Sequence, residues 1–180
     1  MQELRLRAVV WKENVEFIRS FLRAHCTSDD DFPFGCVEQC YSIPNATQQM
    51  GSVSVSRELF EKGGNSWWVI YRGKKDLQSP SHLEKRPYCK SQFYSDPRQW
   101  LESLGCKLQF EYIRKGYAAL WKNTNLVAEL FQILSSSYEP VAEDSILVIY
   151  TFVEGGKDWS HLSQLFQNIV EEISPFVSFK

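Results

Sequence analysis

The strongest constraint on the fold lies in residues 96–134, where a short capped helix leads into a long strand, a tight turn and a returning strand. Asp96 is placed to accept backbone N–H groups of the first helical turn, and Gly105 supplies the left-handed residue that ends such a helix. The apolar run beyond Gly105 exceeds ten positions, and Gly116 near its middle predicts a bulge or a sharp bend. Long bent strands joined by a hairpin are typical of a strongly curved antiparallel sheet, so this segment predicts a β-barrel.

The remaining segments fit the same architecture. Alternation of apolar and charged residues over 4–10 predicts a first strand, and the β-branched and aromatic run 145–153 predicts a central one. Further strands are expected in these segments: 51–60 and 66–71 as a hairpin, 87–93 as a weaker strand, and 176–180 as either an edge strand or a packed terminus.

Two more helices are predicted, over about 14–25 and in the segment that contains Leu162 and Ile173. Residues 34–49 and 73–85 lack clear periodicity and are expected to be mainly loop. Together the patterns predict one α+β domain over residues 1–180, in which a curved antiparallel sheet closes into a β-barrel with about three flanking helices.

Composition indicates a protein that acts through its surfaces. The net charge of -2 gives no general attraction to nucleic acid or to an anionic membrane, and no apolar run is long enough to span a bilayer. Aromatic residues make up 14% of the chain, and aromatic side chains often anchor interfaces. We therefore expect protein partners, no direct sequence-specific nucleic-acid binding and no membrane association.

Metal-ligating and nucleophilic residues form no recognisable pattern. The five cysteines, an odd number, predict free thiols in a reducing compartment. Cys36 and Cys40 are separated by three residues rather than two, and no histidine lies beside them at a zinc-site spacing. Lys62-Gly63-Gly64 lacks the spacing of a phosphate loop, and no Ser or Cys lies in a nucleophile elbow. We predict no catalytic residue, metal or cofactor.

Three tryptophans are candidates for contact with a partner. Trp67 and Trp68 are adjacent in a predicted strand, so their side chains point to opposite faces and at most one lies in the core. Trp121 lies near the predicted hairpin tip. Packing on the barrel wall is the alternative for each, and the hypothesis is that Trp67, Trp68 or Trp121 contributes to partner binding.

The motif W-L-E-S-L-G-C-K-L-Q-F-E-Y-I-R-K-G-Y, which begins at Trp100, resembles the Mediator subunit 18 family of the transcriptional coactivator. The resemblance continues through an N-terminal strand and a helix ending near Cys26, the segment W-W-V-I-Y-R-G, and a closing strand, helix and tail. It implies a nuclear, non-catalytic barrel subunit of the Mediator head module. Such a subunit pairs with Mediator subunit 20, captures a C-terminal helical segment of Mediator subunit 8, and contacts the RNA polymerase II machinery.

The resemblance also implies a fold related to the triphosphate tunnel enzymes, whose barrels hold metal and polyphosphate. Their Glu-x-Glu-x-Lys strand corresponds here to the segment from Glu3 to Arg7, in which Arg5 replaces the second carboxylate. A metal-dependent triphosphate tunnel hydrolase with residual activity is therefore the alternative function. An unrelated barrel adaptor is a third possibility.

Overall fold

A computed structural model of the chain describes residues 1–27, 32–44, 51–59, 66–80, 82–154 and 159–179. Within these ranges nine strands form one sheet: β1 Gln2–Val10, β2 Phe32–Ser42, β3 Ser52–Glu58, β4 Trp67–Arg72, β5 Leu83–Phe93, β6 Lys107–Leu120, β7 Val127–Leu134, β8 Ser145–Val153 and β9 Val177–Phe179. The described helices are α1 Val15–His25, α2 Arg98–Ser103 and α3 Ser160–Ile173, with single 3-10 turns at Lys12–Asn14 and Ser174–Phe176.

Eight of these strands close into a barrel. Its order is β1-β5-β4-β3-β2-β6-β7-β8 and back to β1, with every pair antiparallel. β1 pairs with β8 over residues 2–10 and with β5 over residues 2–6, and β9 then pairs with residues 8–10. The predicted closed antiparallel barrel with about three helices is confirmed, and the tail does form an edge strand.

The main apolar core lies outside the barrel wall, between the wall and helices α1 and α3. The outward face of β1 packs against the apolar stripes of both helices, because residues three or four positions apart share one helix face. The buried members include Leu4, Leu6, Ala8, Val10, Ile18, Leu22, Leu147, Ile149, Phe166, Ile169 and Ile173. A second cluster, of Tyr41, Val55, Trp67, Leu101 and Cys106, packs on the wall with α2. The alternate residues of these strands must therefore point into the lumen.

The loop prediction for residues 34–49 is wrong over residues 34–42, which belong to β2. Cys36 and Glu38 point into the lumen, whereas Tyr41 packs on the outer wall. The inward face of this strand is polar and its outward face is mixed, so the apolar alternation that marks an ordinary strand is missing. Residues 45–49 lie outside the described ranges.

The loop predicted for residues 73–85 is also too long, because β5 begins at Leu83 and Pro87 lies within it. Glu84 and Arg86 are lumen-facing members of this strand, paired across to β1. The sequence pattern did not predict the start of β5 because its first residues include charged side chains, and charge normally indicates a solvent-exposed segment.

Gly116 permits close approach of two strands instead of forming a bulge. The pairing of β6 with β7 continues through Gly116, which lies opposite Phe131. A Cβ atom at this position would lie 2.1 Å from the carbonyl oxygen of Leu130. The register shift occurs nearer the start of β6, where Gln109 is skipped in the Cα pairing with β2.

Local signals at the turns agree with the structure. Asp96 accepts the backbone N–H of Arg98 at 3.0 Å, and Gly105 has a φ of 82° at the end of α2. β3 and β4 pair as predicted, although their connecting residues 60–65 lie outside the described ranges. Among the described helices, none is both long and apolar enough to cross a bilayer.

Candidate functional site

One connected network of charged and polar side chains, here called the lumen ring, runs around the inside of the barrel. Glu3 of β1 accepts a hydrogen bond from Nε of Arg86 at 3.1 Å and lies 3.5 Å from Nε of Arg72 on β4. Arg86 also contacts Glu84 within β5. Arg72 extends the ring to β3 by donating from Nη1 to the hydroxyl oxygen of Ser54 at 3.4 Å.

Glu38 of β2 joins this part of the ring to the remaining strands. Its carboxylate oxygens lie 3.7 Å from Nη1 of Arg72 and 3.0 Å from Nε of Arg114. Arg114 of β6 donates from Nη1 to Glu129 of β7 at 3.0 Å, and the hydroxyl of Tyr150 on β8 donates to the second oxygen of Glu129 at 3.0 Å. The lumen ring therefore links all eight barrel strands.

Charge pairing overcomes the effect of burial within the ring. Burial disfavours the ionised form of Glu38, but the charges of Arg114 and Arg72 outweigh it, so the pKa of Glu38 lies below its ordinary value. Burial also opposes ionisation of Arg114, but Glu38 and other nearby groups raise its pKa. Burial and the adjacent Glu129 raise the pKa of Tyr150, which keeps its hydroxyl a hydrogen-bond donor.

Arg5 of β1 lies beside the lumen ring without joining it. Its Nε atom is buried and has no hydrogen-bond partner among the described residues. Its guanidinium forms no ion pair with any described carboxylate. Burial lowers the pKa of Arg5, and the like charge of Arg72 lowers it further. The Nε–H donor of Arg5 is therefore unused inside the barrel.

The ring and Arg5 line a cavity of about 450 Å³. Lys90 also lines it, with its Nζ atom 3.8 Å from the centre of the Trp68 ring, and burial lowers the pKa of Lys90. Phe34 and Phe152 add apolar surface to the lining. The cavity therefore combines aromatic walls with a mixture of fixed charges.

The carboxylates of the lumen do not fit a divalent cation. Mg²⁺ or Mn²⁺ needs several oxygen ligands that converge without competing cations. The four ring carboxylates each contact a guanidinium group instead: Glu3, Glu38, Glu84 and Glu129. In the described part of the chain, no group of three or more His, Cys, Asp and Glu side chains is arranged to hold a metal ion. Arg5 places a positive charge where the tunnel signature has a second carboxylate.

Trp67 and Trp68 point to opposite faces of β4, as predicted. Trp67 is only 9% exposed and lies in the outer cluster with α2, whereas Trp68 faces the lumen. Trp121 is 6% exposed and packs in the main core, edge-on to Phe21. Burial removes the exposed-aromatic argument for Trp67 and Trp121, and partner binding by the three tryptophans stays a prediction.

Large apolar side chains are exposed in a different place, in and after α2. Trp100, Leu104, Leu108 and Phe110 are 48%, 52%, 49% and 57% exposed. Exposed apolar side chains that form a patch are typical of interaction surfaces. Leu108 pairs with Tyr41, which packs on the outer wall, whereas Phe110 pairs with Cys40 on the opposite face of the sheet. Sequence reasoning missed these residues because it assigned the apolar content of the segment to the barrel wall. Adjacent Trp100 and Leu101 were the available signal, since a short helix that packs on one face cannot bury both.

No protein-family profile and no curated protein sequence matches the chain. In structure, it is similar to a chain of the Schizosaccharomyces pombe Mediator head module, with a TM-score of 0.79 and 17% identity over 99% of this chain and 98% of that chain. It is also similar to the PH1819 protein of Pyrococcus horikoshii, with a TM-score of 0.66 and 14% identity over 95% of this chain and 89% of that one.

The mimivirus capping enzyme triphosphatase is a further structural neighbour, with a TM-score of 0.59 and 9% identity over 96% of this chain and 89% of that one. At such low identities the shared property is the fold. The chain therefore has the closed antiparallel barrel fold that is found in the Mediator head module and in tunnel-type triphosphatases.

Proposed function

We propose that this chain is a non-catalytic subunit of a Mediator head module, which works in the nucleus by binding other subunits and links regulators to RNA polymerase II transcription. The observation that carries the proposal is the likeness to a head-module chain over nearly the full length of both chains. The lumen ring supports it, because its carboxylates are neutralised by arginines instead of being available for chemistry. In this role the barrel is a rigid scaffold that presents binding surfaces.

The first proposed partner is Mediator subunit 20. The exposed apolar side chains of Trp100, Leu104 and Leu108 suit a contact with another sheet-rich protein. Such residues form the desolvated centre of many interfaces, with polar residues around them.

The second proposed partner is the C-terminal helical segment of Mediator subunit 8. A groove of about 250 Å³ lies between α1 and the β6–β7 hairpin, with Leu22, Tyr117, Ala119 and Leu130 in its lining. An amphipathic helix binds such a groove by inserting the apolar side chains of one face.

Co-expression with subunit 20 and the subunit 8 segment tests the proposal. Size-exclusion chromatography with light scattering should give one stoichiometric complex. Leu104→Lys should weaken binding of subunit 20, and Ala119→Arg should weaken binding of the subunit 8 segment. Tyr138→Lys, at a 60% exposed aromatic residue outside both surfaces, is the control and should bind both. A well-folded wild-type chain that binds neither partner would refute the proposal.

The competing function is metal-dependent hydrolysis of triphosphates, which the likeness to the mimivirus triphosphatase favours and the arginine-paired carboxylates oppose. The assay is phosphate release from tripolyphosphate with Mg²⁺ or Mn²⁺. A scaffold should release no more phosphate than its Glu3→Gln variant. Metal-dependent release that is lost in Glu3→Gln would favour the hydrolase.

A further inference from the structure

We propose that the barrel lumen binds a small oxyanion, a phosphate or carboxylate group, directly through Arg5 and without a metal ion. This site is separate from the surfaces proposed for subunit binding and needs no partner protein.

The guanidinium of Arg5 has no ion pair with a described carboxylate. Its Nε atom is buried without an acceptor among the described residues. The Nε atoms of Arg72 and Arg114 also lack a hydrogen-bond acceptor, but both guanidinium groups lie within 3.5 Å of a carboxylate and that of Arg5 does not. A buried charged donor without an acceptor is unfavourable, and an acceptor that enters the cavity removes this penalty. Arg5 lines the cavity, so its donors are within reach of a bound ligand.

The carboxylates near Arg5 are already in contact with other guanidinium groups. Arg5 interacts electrostatically with the guanidinium groups of Arg72 and Arg86. The carboxylates that act on it are those of Glu3, Glu84 and Glu38. Glu3 is already shared between Arg72 and Arg86, at 3.5 and 3.1 Å. Each of these carboxylates lies within 4.0 Å of another guanidinium group, and none lies within 4.0 Å of the guanidinium nitrogens of Arg5. An anion that enters the cavity would therefore be a direct charge partner that Arg5 lacks among the described residues.

The chemistry of the lining indicates the class of ligand. A guanidinium presents two parallel N–H donors that match two oxygens of a carboxylate or phosphate. Tyr88 lines the same cavity next to Arg72, and burial raises the pKa of Tyr88 to about 12, so its hydroxyl is protonated and can donate. The cavity volume of about 450 Å³ leaves room for a small molecule that carries such a group.

Thermal unfolding of the full chain tests the site, with EDTA present and ionic strength held constant with sodium chloride. The probes are inorganic phosphate, tripolyphosphate and citrate. We expect at least one of them to raise the Tm of the wild-type chain in a saturable manner. A rise in Tm with phosphate or tripolyphosphate but not with citrate would identify a phosphate site. A rise with citrate but with neither phosphate probe would identify a carboxylate site.

Arg5→Gln should weaken binding of the probe that stabilises the wild type by at least about tenfold. It should also remove most of the rise in Tm that this probe causes. Arg19→Gln, which removes a positive charge on α1 outside the lumen, should keep the wild-type response. If Arg5→Gln does not fold, titration calorimetry on the wild type and on Tyr88→Phe replaces it, with weaker binding expected for Tyr88→Phe. The proposal is wrong if no probe binds, if Arg5→Gln or Tyr88→Phe binds as tightly as the wild type, or if binding requires added Mg²⁺.

Discussion

Arg114→Met is the most direct test of the lumen ring as a structural element. Arg114 contacts Glu38 and Glu129 at 3.0 Å each, and its side chain is only 16% exposed. Methionine has a similar length without the charge, so the change leaves two buried carboxylates without their main partner. Removal of one member of a buried ion pair costs about 3 to 5 kcal/mol of unfolding free energy. For a domain of this size, the Tm should fall by roughly 6 to 20 °C.

Urea denaturation followed by tryptophan fluorescence measures this loss. Lys115→Met is the matched control, because Lys115 is the next residue of β6, is exposed, and belongs to no described ion pair. Its unfolding free energy should change by no more than about 0.5 kcal/mol.

The double variant Arg114→Met with Glu129→Gln gives a second readout. It should lose less stability than the sum of the two single variants, because the second change removes a charge that the first one leaves unpaired. A loss below about 1 kcal/mol for Arg114→Met, or strict additivity in the double variant, would refute the reasoning that the ring stabilises the barrel.

Three further predictions concern other parts of the structure. Gly116→Ala should destabilise the chain by about 3 kcal/mol in urea denaturation, because the added Cβ would lie 2.1 Å from the carbonyl oxygen of Leu130; an unchanged midpoint would contradict this packing. The pKa of Glu38 is lower in the folded chain than its ordinary value of 4.5, so its ionisation stabilises the fold above that pH, and this contribution is lost as the pH falls through the folded pKa. The stability difference between the wild type and Glu38→Gln should therefore be constant from about pH 7 to 5 and shrink in more acidic solution, and a difference that grows there would contradict the sign. Trp121→Ala should cost about 3 to 5 kcal/mol because the side chain is in the main core, whereas unchanged stability with a loss of partner binding would favour an interface role.

Local sequence patterns predicted the elements whose burial follows ordinary rules. β1, α1, β8 and α3 each have one apolar face that packs in the main core, so periodicity identified them. β2 and the start of β5 were missed because their charged side chains point inward. An inward charge conflicts with the usual association between polarity and solvent, and only the closed barrel makes it favourable.

Some properties of the candidate sites are likewise visible in the sequence, and others depend on the tertiary structure. The presence of Arg5 in place of a carboxylate is visible in the sequence, because it depends only on the residue type at that position. The unpaired state of Arg5 is not visible there, since its neighbours Arg72 and Arg86 come from strands far along the chain. The burial of Trp121 likewise depends on the docking of α1 against the hairpin.

The sequence by itself determined which segments are strands or helices with an apolar face, and it determined the absence of a recognisable metal motif. Those properties depend on residue type and on spacing along the chain. The tertiary structure decided that the barrel lumen holds a ring of ion pairs, that Arg5 is left outside it, and which aromatic side chains remain exposed. These properties depend on which residues barrel closure brings within a few ångströms, and on which side of the wall the helices cover.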